Sequence, residues 1–153
     1  MFGDADFEVP DHLPLLDHGS HQPGSGKACV MEAASWLAGE SWSDHPRTVH
    51  KAIARVAILV NDSVTETERQ TLWPLLLASI GTRTRFQPLV TYRLHRMARR
   101  SRNKLEANEL CELWEMMLAR HFALTKCGAR SISTTRLREF EVHLRAGSRS
   151  ELS

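Results

Sequence analysis

The segment LCELWEMMLARHF (residues 110–122) decides the predicted fold class. Its large apolar side chains recur three or four residues apart, which is the spacing of one face of an α-helix. Those side chains belong to Leu110, Leu113, Trp114, Met117, Leu118 and Phe122. The pattern predicts a helix that ends before Gly128 and buries this face against other elements.

Two more helices are predicted in the first half of the chain. One starts at Lys27 and stops at Gly39, because glycine is typical of the position just after a helix. The next starts near Ser43 or Asp44, since both are favourable N-caps, and Pro46 then takes the first helical position. Both segments carry apolar residues at helical spacing.

A third helix is predicted to open at Thr65, because Glu68 three residues later completes a capping box. Pro74 lies inside the apolar pattern that follows. A proline at that point predicts either a kink or a new helix start near Trp73.

The fourth predicted helix covers residues 86–102, enters at Pro88 and is strongly basic. Its predicted packing residues are Leu89, Tyr92, Leu94 and Met97. Arginines and one lysine between Arg83 and Lys104 are accompanied by no acidic residue. A helix of this kind can neutralise phosphates, so it is a candidate nucleic-acid surface. Its candidate binding residues are Arg93, Arg96, Arg99 and Arg100.

An acidic stripe follows the basic segment and offers the alternative interpretation. It consists of Glu106, Glu109, Glu112 and Glu115. A turn at residues 101–103 would place the two segments side by side, so that their charges largely cancel within the molecule. In that case the arginines have a structural function.

Together these patterns predict an all-α protein, a single-domain bundle of about five helices. The bundle is predicted over residues 27–128, after an extended acidic arm at 1–26. A tail is predicted at 129–153, with a short amphipathic helix at 133–144. The length of 153 residues suits one domain.

Composition excludes several classes of protein. The three cysteines form no CxxC pair, which argues against a disulfide framework and a thiolate zinc site and suits a reducing compartment. The first residues lack the basic and apolar regions of a signal peptide. The longest apolar runs are far shorter than the ~20 residues of a membrane span. We therefore expect a cytoplasmic protein without membrane contact.

The segment HQPGSGK (21–27) is similar to a phosphate-binding loop, but the required pattern is incomplete. That pattern, GxxxxGK[ST], needs a glycine where this chain has His21 and a hydroxyl where it has Ala28. No strand is predicted before it. The segment is interpreted as the entry to a helix, and no cofactor is predicted.

Cys29 is the candidate nucleophile. A thiol at the start of a helix and beside Lys27 is where the helix dipole and a cation lower a cysteine pKa. His45 or His50 would serve as the base, with Asp44 orienting it. The alternative is a buried structural cysteine. The full candidate catalytic set is Cys29, Glu32, Asp44, His45 and His50.

No metal site is predicted, because the two imidazoles at positions 45 and 50 point to different faces of a helix. Trp42 is a further candidate binding residue. It lies in a predicted loop, where an exposed indole ring indicates a binding surface.

The strings ACVMEAASWLAGESWSDHP (28–46), Asn61-Asp62, Arg69 and Ile80-Gly-Thr-Arg83 together resemble a group of small proteins from actinobacteria and their phages. The resemblance covers about residues 26–83. It brings no assigned activity, but it implies a phage or mobile-element setting. It also implies that the cluster of Glu32, Glu40, Asp44 and His45 is not present merely because such residues are common in loops.

Three functional hypotheses follow from the sequence. The first is a non-enzymatic helical protein that acts through interaction with another macromolecule, with a protein as the expected partner. The second is a thiol-dependent enzyme that uses Cys29 and a nearby histidine. The third is nucleic-acid binding through residues 93–104.

Overall fold

The computed structural model describes residues 16–23, 25–83 and 87–125, and this part of the chain is helical, as predicted. One isolated backbone bridge, between Leu16 and Ala28, is its only β-type pairing. The helices are α1 (Val30–Leu37), α2 (Lys51–Ser63), α3 (Glu66–Arg69), α4 (Trp73–Ser79), α5 (Pro88–Ala98), a 3₁₀ turn (Arg99–Arg102) and α6 (Ala107–Thr125). None of these helices is long and apolar enough to cross a membrane.

The core lies where α2, α5 and α6 pack against one another; α1 packs on α2 and α4, and α4 also contacts α6. The apolar stripe of α6 faces this core, as its spacing predicts. Trp114 is fully buried, and its indole N–H donates to Ser79 Oγ of α4 at 2.9 Å. This bond ties α6 to α4 through a polar group that would otherwise be unsatisfied.

The ends of α1 are set by local chemistry. Cys29 is the N-cap and forms a capping box with Glu32. After the C-cap, Gly39 has a φ of 79°, the left-handed conformation that glycine adopts without strain. The helix thus ends where the sequence predicts, but it begins three residues after Lys27.

The predicted start of α2 at Ser43 or Asp44 is wrong, since the helix begins after His50. The cause is tertiary. In a helix, the carbonyl of Thr48 would accept a bond from Ala52 N–H. Here that carbonyl accepts from the N–H groups of Gly81 and Arg83, both at 3.0 Å, and Ala52 N–H donates to the His50 ring instead.

The Thr65 capping box is confirmed, and it opens the short helix α3. The chain then starts a new helix at Trp73, with Pro74 in its first turn, so the proline marks a restart.

The predicted packing face of α5 is partly wrong. Leu89 and Tyr92 are 58% and 60% exposed, whereas Val90, Leu94 and Ala98 are buried. The three buried residues are four positions apart, so they lie on one side of α5. That side is the one that α2 and α6 cover.

Residues 16–23, which belong to the predicted extended arm at 1–26, are hydrogen-bonded to the body although several of their side chains are exposed. Leu16 is buried, and its backbone exchanges hydrogen bonds of 2.9 Å with the side chain of Gln70. Asp17 N–H donates to the carbonyl of Ala28 at 2.9 Å. The predicted tail at 129–153, with its segment at 133–144, lies outside the described residues.

Candidate functional site

A buried carboxylate organises the N-terminal end of α1. Glu32 is 2% exposed, and its oxygens accept the backbone N–H groups of Cys29 (2.9 Å) and His21 (2.8 Å). The His21 ring nitrogen Nδ1 lies 2.9 Å from the same carboxylate, and Trp42 Nε1–H donates to it at 3.2 Å. His21 Nε2 lies 3.4 Å from Asp17 Oδ2. The four groups bonded to Glu32 come from three separate stretches of chain, so this carboxylate joins them.

Trp42 is therefore not the exposed ring that a loop position predicts. Its indole N–H donates to the carbonyl of His21 at 2.9 Å as well as to Glu32. The ring is partly buried against the core. The hydrogen bonds of Trp42 connect the loop after α1 to the segment 16–23.

The predicted activation of Cys29 is wrong, because its surroundings act in the opposite direction. The residue is 4% exposed, and its sulfur accepts a bond from Glu32 N–H at 3.4 Å as part of the capping box. Burial, as the main cause, raises the pKa of the Cys29 thiol to about 12, and the nearby Glu32 carboxylate also raises it. At the N-cap the thiol caps a helix and stays protonated.

Of the other members of the candidate catalytic set, only Glu32 is hydrogen-bonded to Cys29 in the described part of the chain. His45 is 79% exposed and contacts Asp44, and His50 lies at the start of α2 beside His95. In the described part of the chain no imidazole forms a hydrogen bond with the Cys29 sulfur. The nucleophile–base pair that thiol catalysis requires is not formed there.

We expect Cys29 to resist alkylation in the folded protein. With a pKa of about 12, only about one thiol in ten thousand is ionised at pH 8, and the thiolate is the reactive form. Peptide mapping by mass spectrometry after iodoacetamide treatment should show native labelling of Cys29 at least about a hundredfold slower than in urea. Equal rates in the two states would restore the thiol-enzyme hypothesis.

Two buried histidines, His50 and His121, and the exposed His95 lie near the start of α2. His50 is 6% exposed, and its Nδ1 accepts the Ala52 N–H at 3.1 Å, which makes the ring the N-cap of the helix. Its ring centroid is 5.3 Å from that of His95. His121 is 1% exposed. Burial lowers the pKa of both His50, to about 4, and His121.

These neutral imidazoles predict acid-sensitive stability. The pKa of His50 is about 4 when folded and about 6.5 when unfolded, so the unfolded state binds more protons between those values. The contribution of His50 to the free energy of unfolding, about 3 kcal/mol, is complete above pH 6.5 and is lost as the pH falls towards about 4. Urea unfolding at several pH values measures the slope.

The variant His50→Asn isolates this effect, because asparagine caps a helix but does not titrate. We expect its stability to fall less steeply below pH 6.5 than that of the parent. His45→Asn is the matched control, since that side chain is 79% exposed. An unchanged slope in His50→Asn would remove His50 as the source.

The predicted charge match between the basic and acidic segments is not made by direct contacts. The basic residues of α5 and the 3₁₀ turn are exposed, and so are the four glutamates of the acidic stripe. Among the described residues, every ion pair lies between residues 17 and 45. We call the unpaired cations the basic surface; it consists of Arg93, Arg96, Arg99, Arg100, Arg102 and Lys104.

A groove of about 660 Å³ adjoins the basic surface, because Arg102 belongs to both. Its cationic side chains are those of Lys51, Arg55, Arg83 and Arg102. The other lining residues are His45, Pro46, Val49, Ala54, Ile58, Leu59 and Ser101. None of the lining residues is acidic, although His45 contacts Asp44. The groove was not predicted, since it joins α2 to residues about 30 to 50 positions away.

The described residues contain no group of three or more His, Cys, Asp or Glu side chains that could hold a metal ion. Comparison with known proteins finds no matching family model, no similar curated protein and no similar solved structure.

Proposed function

We propose that this protein is a non-enzymatic helical module that binds nucleic acid through the basic surface and the adjoining groove. The observation that supports the proposal is the absence of ion pairs at the basic surface in the described part of the chain. Free cations release counterions when they neutralise phosphates, and this release drives binding.

The arrangement of the cations favours a polyanion over a single small anion. Arg96 lies on α5, and Arg99, Arg100 and Arg102 continue in the 3₁₀ turn. Arg102 then leads into the groove, where Lys51 and Arg55 follow on α2. Several exposed cations on adjoining elements suit a chain of phosphates better than one small anion.

A structural function explains only part of this basic composition. Cations in the last turn of a helix stabilise it by about 0.3–1 kcal/mol each through the helix dipole. That effect applies to the end of α5 but not to Arg93, nor to Lys51 in the first turn of α2, where a cation is unfavourable, nor to Arg55 beyond that turn.

The resemblance to small proteins of actinobacteria and their phages is consistent with a phage or mobile-element setting, in which nucleic acid is an available partner. An acidic protein would use the same charges. It is the alternative partner if nucleic acid fails the test below.

The test is the salt dependence of binding to fluorescently labelled oligonucleotides, followed by anisotropy. We expect the logarithm of affinity to fall linearly with the logarithm of salt concentration. The double variant Arg96→Ala with Arg99→Ala should reduce that slope by about 2, because each lost phosphate contact contributes about 0.7–0.9.

A matched control removes two charges elsewhere. Lys27→Ala with Arg120→Ala lowers the net charge equally, at exposed positions outside the basic surface. We expect the control to keep the parent's slope. A parent that binds neither DNA nor RNA at 50 mM salt would overturn the proposal, and so would equal losses in the two double variants.

A further inference from the structure

The groove combines cations with exposed apolar surface, which is unusual for a site that only contacts phosphates. Its lining also contains four apolar residues, Val49, Ala54, Ile58 and Leu59, which we call the floor; Ile58 and Leu59 provide most of its accessible surface. Leu59 is 37% exposed, although its side chain is large and apolar and charged residues lie beside it. An occupant that suits both parts has a flat apolar portion and negative charges close to it.

The floor follows from the geometry of α2. Ala54 and Ile58 lie four residues apart, as do Lys51 and Arg55, so two neighbouring rows run along one side of the helix. One row is apolar and the other is basic. A nucleotide laid across them would place its base on the first row and its phosphate on the second.

A paired base cannot occupy such a site. In a duplex the faces of each base are stacked on its neighbours, so only base edges and phosphates are offered to a protein. An unpaired base exposes its face, and its cost of unstacking is small. The volume of about 660 Å³ is within the range of pockets that enclose small ligands.

Tyr92 gives a second, independent indication of unpaired bases. Its side chain is 60% exposed on α5. Arg96 follows four residues later, one turn along the same side of the helix. An exposed aromatic ring beside arginines is the arrangement on which proteins stack the bases of single strands.

We infer that the ligand is single-stranded nucleic acid, with one base seated on the floor of the groove and another stacked on Tyr92. This inference rests on the proposed function and adds the class of nucleic acid. The phosphates between these bases lie along the basic surface.

The experiment compares three 20-nucleotide ligands of equal strand length: a single strand, its duplex, and a single strand of abasic residues. The abasic strand carries the same phosphates without bases. We expect the parent to bind the single strand about tenfold more tightly than either of the others, given the usual contribution of base stacking.

Two variants locate the contribution of the bases. Tyr92→Ala and Leu59→Ala should each weaken single-strand binding about fivefold or more and leave abasic binding unchanged. Tyr92→Phe retains the ring and should bind like the parent. Met116→Ala is the control, because Met116 is an exposed apolar residue of α6, 50% exposed and outside the groove.

The outcomes separate this inference from the proposed function. Salt-dependent binding that is equal for the single strand, the duplex and the abasic strand overturns the inference and leaves the proposed function in place. Unchanged single-strand affinity in both Tyr92→Ala and Leu59→Ala also overturns it. The absence of binding to all three ligands overturns both. Circular dichroism verifies that each variant is folded, which is expected because the substituted side chains are exposed.

Discussion

Replacing Trp114 with alanine should lower the free energy of unfolding by about 3–5 kcal/mol, which is typical of a buried tryptophan. The side chain is fully buried in α6, and its truncation leaves a cavity between α6 and the helices around it. Ser79 also loses the indole N–H as a hydrogen-bond donor. Since domains of this size are stable by only about 5–15 kcal/mol, the variant should be close to unfolding at physiological temperature.

Urea unfolding followed by circular dichroism measures this loss. The control is Met116→Ala, two residues away on the same helix but 50% exposed, which should change stability by less than about 0.5 kcal/mol. Trp114→Phe keeps most of the volume and removes the hydrogen bond to Ser79, so an intermediate loss is expected. Equal stability of Trp114→Ala and Met116→Ala would contradict the position of α6 in the core.

Replacing Glu32 with alanine should cost about 3 kcal/mol or more, because it leaves two backbone donors in a largely buried site without an acceptor. Those donors are the N–H groups of Cys29 and His21, whereas the indole N–H of Trp42 keeps the carbonyl of His21 as its other acceptor. The variant also removes half of the capping box at the start of α1. We therefore expect both a global loss of stability and a local release of residues 16–23 from the body.

Amide hydrogen exchange separates the local effect from the global one. In Glu32→Ala the amides of Cys29 and His21 should lose protection by a larger factor than those in the middle of α6. Glu32→Gln retains one acceptor oxygen and should lie between the parent and Glu32→Ala. The control, Glu112→Ala, removes an exposed carboxylate from α6. A Glu32→Ala variant as stable as that control would show that the hydrogen bonds of this carboxylate do not stabilise the fold.

The sequence predicted those features of the fold that depend on one or two turns of chain. The α6 stripe is buried as predicted, the Thr65 capping box is formed, and Gly39 follows the end of α1. In each case the determining residues are within about four positions of one another, so local spacing contains the information.

The features that the sequence did not predict depend on distant partners. His50, and not Ser43, caps α2, because residues 81–83 occupy the carbonyl of Thr48. Tyr92 is exposed because α2 and α6 cover the other side of α5.

The same distinction between local and distant partners applies to the candidate site. The sequence identified Cys29 and Glu32 at a helix start and the run of arginines in α5, and both positions are correct. It did not predict that Glu32 bonds to His21, eleven residues away, or that Cys29 has a raised pKa. Burial sets the pKa of a thiol, and burial is a property of the packed molecule.

The sequence by itself determined the all-α class of the described part of the chain, some of its helix ends, and a basic segment without internal acids. Only the tertiary structure decided which of those residues meet. It placed Glu32 among donors from three stretches of chain, left the arginines of α5 without acidic partners in the described part, and set an apolar row of α2 beside cations from residues 83 and 102. The physical reason is range: caps and periodicity act within a turn, whereas burial, desolvation and charge pairing depend on neighbours that folding brings together.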